Sequence, residues 1–124
     1  MSPLTTLALL ETLGEPTRLR IVNCLTAAPL FVSDLQALLE IPQPTISRHL
    51  KVLREAGLVR DTPIAQFVLY RLRRPPEPLG RVLSAVLDAA QQDPGLRAER
   101  SGALERSRQN ARYRNETDME GRPA

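Results

Sequence analysis

Only one of the 124 residues is a cysteine, one a histidine and one a lysine; tryptophan is absent, and the aromatics are two tyrosines and two phenylalanines. A lone cysteine, Cys24, forms no internal disulfide and builds no thiolate cluster. A lone histidine, His49, leaves a histidine-based metal site one ligand deep. So few aromatics disfavour the stacking platforms on which single strands and RNA are bound. No apolar run approaches the length of a membrane span, and no secretory leader opens the chain, so no membrane contact and a cytoplasmic location are expected. No nucleophile–base pair, carboxylate dyad or phosphate-binding loop is legible, and an enzyme is not expected.

What the chain does have is arginine. Arginine supplies all but one of its 17 basic residues, against 14 acidic ones, and the pI is near 9.7. That balance favours polyanionic partners, and with aromatics scarce the better polyanion is double-stranded DNA. The length fits one domain with an appendage.

The stretch from Gln43 to Gly57 organises the rest. At about 100° per residue Ile46, Leu50 and Leu53 fall within one arc, bordered by His49 and Ala56, and must face a core. The opposite arc gathers Pro44, Ser47, Arg48, Lys51, Arg54 and Glu55. Short polar side chains near the helix start suit base edges, and cations further along suit phosphates. Gly57 offers the positive φ that ends such a helix. Upstream, Val32 to Ile41 forms a shorter helix with Leu35, Leu38 and Leu39 as its buried stripe. Ser33 and Gln36 are spaced as a capping box, with Asp34 set against the helix dipole. Only Glu40-Ile41-Pro42 joins the two, as in a helix-turn-helix. After Gly57, Leu58–Asp61 and Gln66–Leu72 are two β-type runs joined by a turn over Thr62-Pro63-Ile64-Ala65, a two-stranded hairpin or wing. Core packing is expected for both Phe67 and Tyr70 on it.

Two segments, Leu13 to Ile21 and Gln43 to Val59, closely resemble the ArsR/SmtB family of bacterial winged-helix repressors. The resemblance covers roughly the first three quarters of the chain, and two motifs in the right order make it specific. It implies a homodimeric, cytoplasmic repressor that leaves its operator when an inducer, often a metal or metalloid ion, binds. Many relatives carry Cys-Val-Cys at the start of the helix before the reading helix; here the matching residues are Phe31-Val32-Ser33. Phenylalanine offers no lone pair and serine is a poor ligand for a soft cation. The second family site, on the last helix, needs carboxylates and histidines, and between Leu79 and Gln92 only Asp88 could serve. No metal and no cofactor are therefore expected, and the inducer is left unknown. Pro42 replaces the capping residue common before the reading helix, and the wing tip lacks the arginines often found in the family.

The remaining segments fit that frame. Pro3 to Leu13 is apolar enough to need a partner, and Pro16 suits the first turn of a second helix carrying Leu19, Val22 and Cys24. Arg18 and Arg20 on it are expected to be solvated or ion-paired. Arg73 to Pro78 is a stiff connector, and Leu79 to Gln92 repeats an apolar stripe at helical spacing. Leu96 to Arg114 is a further helix with little to bury, and Asn115 to Ala124 is expected to be disordered. Cys24 is expected as a buried small hydrophobe and His49 as a hydrogen-bonded structural residue.

The resulting expectation is a mainly α fold with a small β-hairpin, a winged helix-turn-helix over residues 1–92 with a polar extension over 93–124. Dimerisation is assigned to the first and last apolar helices through Leu4, Leu7, Leu10, Leu79, Val82, Leu83, Val86 and Leu87. The partner is a double-stranded operator with imperfect palindromic symmetry. Gln43, Pro44, Thr45 and Ser47 approach bases; Arg48, Lys51, Arg54, Arg60 and Arg71 approach phosphates. Two rivals stand beside it: a winged-helix module that docks an acidic protein, and a redox-responsive repressor using Cys24.

Overall fold

The computed structural model describes residues 3–121, with side chains for residues 3–112. Six helices and three short strands follow in the order α1 (Thr6–Leu13), α2 (Pro16–Ala27), β1 (Leu30–Phe31), α3 (Val32–Leu39), α4 (Gln43–Glu55), β2 (Val59–Ile64), β3 (Phe67–Leu72), α5 (Leu79–Ala90) and α6 (Pro94–Gly121).

The first four helix starts each have a local cause. The Thr5 hydroxyl accepts from the Ala8 N–H at 3.1 Å, and the Glu15 carboxylate accepts from the Arg18 N–H at 2.9 Å with Pro16 just inside α2. Arg18 turns back to donate from Nε to the Thr12 carbonyl at 2.8 Å, so it closes the end of α1 instead of pairing with an acid. The expected Ser33–Gln36 capping box does not form. α3 begins at Val32, and Asp34 Oδ2 accepts from the Phe31 N–H at 2.8 Å, so the capping carboxylate lies two residues before Gln36. α4 starts without a side-chain cap, but the Pro42 carbonyl accepts from the Thr45 and Ile46 N–H groups, both at 3.1 Å. Gly57 takes φ +78 just beyond α4, as its position requires.

The sheet has three strands in the order β1-β3-β2, not the expected two. Leu30 pairs with Tyr70 and Phe31 with Leu69, so the two residues before α3 close the inner edge of the wing. The hairpin turn is also tighter than expected: β2 continues through Pro63 to Ile64, which pairs with Phe67, leaving only Ala65 and Gln66 as the turn. Pro63 is tolerated because β2 is an edge strand, and Ala65 takes φ 54, a position that favours glycine.

One core joins these elements. Leu9 and Leu13 from α1, Ile21, Val22 and Leu25 from α2, Leu35 and Leu39 from α3, and Ile46, Leu50 and Leu53 from α4 are buried together with Leu58 and Val59. Leu83 and Leu87 of α5 belong to that same cluster, which removes them from the residues available to a second copy. The inward stripe of α5 is consumed within the protomer.

α6 differs most from expectation. It runs 28 residues to Gly121, through most of the stretch expected to be disordered; residues 122–124 lie outside the described residues. It lies along α2 and α3 with only Ala103 fully buried among the described residues, and polar contacts hold it there. Arg20 pairs with Glu99 at 2.5 Å, the Asn23 amide donates to the Leu96 carbonyl at 2.7 Å, and Arg100 donates to Asn23 at 3.0 Å and to the Leu87 carbonyl at 2.9 Å.

Candidate nucleic-acid interface

The buried arc of α4 fixes which side chains face outward. With Ile46, Leu50 and Leu53 anchored in the core, Gln43, Pro44, Arg48, Lys51 and Arg54 are exposed, and Thr45 and Ser47 are half-buried. Gln43 Nε2 donates to Ser47 Oγ at 3.0 Å, which aligns two polar groups one turn apart at the helix start. Arg48 and Lys51 have no ion pair or side-chain hydrogen bond among the described residues. Arg54 is different: Nη1 pairs with Asp61 of β2 at 3.1 Å, fastening the end of α4 to the wing.

The wing stands on the same side. Gln43 and Ser47 share a groove of about 340 Å³ with Gln66, Phe67 and Val68 of the wing and with Phe31, Val32 and Ser33 at the start of α3. Phe67 is 55% exposed, contrary to the core packing expected for it, and meets Phe31 edge-on with ring centroids 6.1 Å apart. Tyr70 does pack against the core, and burial, with Asp61 adding to it, raises its phenol above the ordinary value. At the wing base Arg60 and Arg71 are directly opposite each other on β2 and β3, both exposed. Like charges placed so repel unless an anion lies against them.

His49 and Cys24 are on the inner sides of their helices. His49 Nδ1 is buried without a hydrogen-bond partner, 3.7 Å from Glu15 Oε2, so the hydrogen-bonded role expected for it is not realised. Cys24 is buried beneath α6 with Sγ 3.8 Å from the Glu99 carbonyl. Burial, reinforced by the Glu99 carboxylate, pushes its thiol up to about 12. A thiol held protonated in this way is a poor nucleophile and a poor metal ligand.

The residues do not fit the family's metal site. Phe31 and Ser33 stand where paired thiolates would be, and Phe31 is engaged with Phe67 and with the strand pairing to β3. Asp34, the one strong ligand nearby, is 2% exposed and fully engaged: its carboxylate accepts from the Phe31 N–H, from Arg106 Nε at 2.8 Å and from Asn110 Nδ2 at 2.9 Å. Local spacing assigns Asp34 only to the helix dipole. Its partners on α6 are more than seventy residues away, and nothing in local spacing points to them.

Known proteins of the same build are regulators. The family model described as bacterial regulatory protein, arsR family, matches residues 15–61. The biofilm growth-associated repressor of Agrobacterium fabrum is 45% identical over 64 residues, 52% of this chain and 55% of that protein. The arsenic resistance transcriptional regulator ArsR1 of Pseudomonas putida is 40% identical over 82 residues, 64% of each. The chain thus spans between about half and two thirds of the length of these curated relatives. Among solved structures, the transcriptional repressor BigR from Xylella fastidiosa matches with a TM-score of 0.56 at 33% identity, covering 65% of this chain and 81% of that one. All three are named as repressors or transcriptional regulators, none as an enzyme. With the helix-turn-helix and wing in the same arrangement, this chain belongs to the ArsR family.

Proposed function

We propose that the protein is a transcriptional repressor that binds a double-stranded operator through α4 and the wing, without catalytic activity of its own. The observation that carries this is the free outward arc of α4: Arg48 and Lys51 extend from a rigid helix beside the groove shared with the wing, with no intramolecular partner among the described residues. Cations left in this way gain most from an external polyanion. In this reading Gln43, Pro44, Thr45 and Ser47 approach base edges in the major groove, Thr45 least closely because it is half-buried. Arg48, Lys51, Arg60 and Arg71 neutralise phosphates, and Arg54 contributes only as far as Asp61 releases it. Residues 1–92 carry DNA binding and dimerisation, and residues 93–124 are a polar extension that Glu99, Arg100, Arg106 and Asn110 fasten to them. Relief of repression runs through some signal other than a thiolate-bound soft ion, since the residues at the start of α3 supply none of the ligands.

The test is to incubate the purified protein with fragmented genomic DNA, sequence what is retained, and titrate the recovered site. The sites are expected to converge on an imperfect palindrome. Arg48→Ala and Lys51→Ala should each weaken binding by on the order of 1–3 kcal/mol and flatten its salt dependence. Unchanged affinity in both folded variants would overturn the assignment, and capture of an acidic protein with no salt-sensitive duplex binding would favour a protein-docking module.

A further inference from the structure

The wing sheet has two faces with different fates. Val59, Tyr70 and Leu72 turn toward the core, and because side chains alternate along a strand, Leu69 and Arg71 stand on the opposite face. Phe31, directly across from Leu69, is on that face too. Leu69 is nonetheless only 7% exposed, although it lies outside the cluster that forms the main core. The residues beside it form a small groove of their own. Pro29 and Phe31 before α3, Leu69 and Arg71 of β3, and Ser107 and Asn110 of α6 line a space of about 200 Å³. Phe31 also borders the groove shared with Gln43 and Ser47, so the two hollows adjoin.

The polar groups of this groove are unequal. Asn110 spends its Nδ2 on Asp34 Oδ2 at 2.9 Å, and Arg106 at 2.8 Å compensates the charge of that aspartate. The Asn110 Oδ1, the Ser107 hydroxyl and the Arg71 guanidinium have no side-chain partner among the described residues. Arg71 is the one ionisable residue in the described lining, and it stands opposite Arg60 across the strands, which raises its demand for an anion. Such a lining selects its ligand. A guanidinium binds a carboxylate through two parallel hydrogen bonds. The wall of Pro29, Phe31 and Leu69 stays wet against an inorganic ion and is covered by a hydrocarbon body. The space is smaller than the roughly 300–1,000 Å³ that houses a drug-sized ligand, so that body is a small one.

We propose that this groove is an effector site for a small organic monocarboxylate, whose binding withdraws Arg71 from the operator and so relieves repression. The carboxylate rests on Arg71 and the Ser107 hydroxyl, the hydrocarbon body lies against Phe31 and Leu69, and Asn110 closes the side toward α6. An arginine held in such a pair does not also neutralise a phosphate. The inference rests on the DNA-binding reading above, in which Arg71 is a phosphate contact.

The experiment titrates benzoate and pentanoate, a planar and a flexible member of the class, into the isotope-labelled full-length protein and into its complex with the recovered operator. Benzamide, which keeps the shape without the charge, and inorganic phosphate, which keeps charge without the body, are the controls. At least one carboxylate should produce saturable shifts in the amide signals of Phe31, Leu69 to Arg71 and Ser107 to Asn110, and both controls should leave them in place. Arg71→Gln should weaken that binding about ten-fold or more, the loss of a charge-assisted hydrogen bond. Saturating carboxylate should lower operator affinity several-fold and reduce the slope of log affinity against log salt by about 0.9 for each Arg71 withdrawn. Ser107→Leu, which fills the groove from outside the DNA-facing set, should bind operator as the parent does and no longer respond to the carboxylate. No saturable shifts with either carboxylate, or shifts centred elsewhere, overturn the site while operator binding stands. Equal binding of benzamide or phosphate overturns the assigned ligand chemistry, and saturation of the groove with an unchanged salt slope overturns the withdrawal of Arg71. Absence of any salt-sensitive duplex binding by the parent would instead remove the underlying function, whatever the amide shifts show.

Discussion

Arg54 and Asp61 show how much one intramolecular contact changes the meaning of a cation. By helical position alone Arg54 is equivalent to Arg48 and Lys51, yet its guanidinium is held at 3.1 Å by a carboxylate from the wing. Both partners are substantially exposed, so the pair contributes only about 0–1 kcal/mol to stability. Its effect on binding is larger than its effect on folding, because Asp61 both occupies the arginine and sets a negative charge beside the phosphate path. Asp61→Asn should therefore bind operator several-fold more tightly, with a steeper salt dependence and little change in melting temperature. Competition titrations at two salt concentrations check this; weaker binding would mean that the ion pair serves to position α4. The outward arc of α4 was legible from periodicity, since three core residues at helical spacing fix the remaining faces. The pairing of Arg54 was not, because it depends on the register of β2 against the helix. His49 was placed correctly at the apolar edge, but which group it meets depends on how Glu15 is used, and that carboxylate is turned toward the Arg18 N–H.

Among the elements, α1 to α5 announced themselves through apolar stripes and breakers and α6 was legible as a helix only as far as Arg114, whereas β1 was not legible. β1 is two residues long, too short to show alternation, and exists because Leu30 and Phe31 meet the backbone of β3. α6 buries almost no apolar stripe; Gly102 approaches Leu38 closely and arginine contacts supply the rest of the attachment. Hydrophobic periodicity is blind to a helix docked in this way. The polar seam also makes α6 sensitive to single charges. Arg106 is the cation nearest Asp34, whose carboxylate is almost wholly buried in the first turn of α3. Arg106→Ala leaves that carboxylate with only the Asn110 amide and the Phe31 N–H, and should cost about 1–3 kcal/mol, less than a fully buried pair because Arg106 is partly solvated. Thermal or urea unfolding measures the loss. Restoration of most of the stability by combining Arg106→Ala with Asp34→Asn would identify the unpaired charge as its cause, and its persistence would assign the loss to packing.

At the scale of the whole molecule, apolar side chains on α1 and α5 are left uncovered among the described residues. Leu7 is 80% and Leu10 48% exposed on α1, while Val82 and Val86 of α5 are only half-buried, with Ala85 and Ala89 exposed beside them. Leu83 and Leu87 are spent in the core, so the proposed contact between copies narrows to Leu7 and Leu10 together with the Val82–Val86 side of α5; Leu4 and Leu79 are half-buried and border it. Burying a leucine is worth about 1.5–3 kcal/mol, and a two-fold axis doubles every contribution. Scaled by the 80% exposure of Leu7 and the 48% exposure of Leu10, the two leucines from each protomer then supply on the order of 4–8 kcal/mol before association costs, and the valines add to this. A two-fold arrangement would set two α4 helices against one side of the duplex, about one helical turn or a multiple apart, which is why the operator is expected to be palindromic. Replacing both leucines, Leu7→Glu with Leu10→Glu, removes the apolar contact and sets like charges across the axis without touching the core. That variant should melt close to the parent, sediment as a monomer at micromolar concentration, and bind a single half-site as the parent does, while losing the added affinity that a full palindrome confers. A parent protein that is itself monomeric, or a variant that still gains from the second half-site, would show that the face serves another purpose.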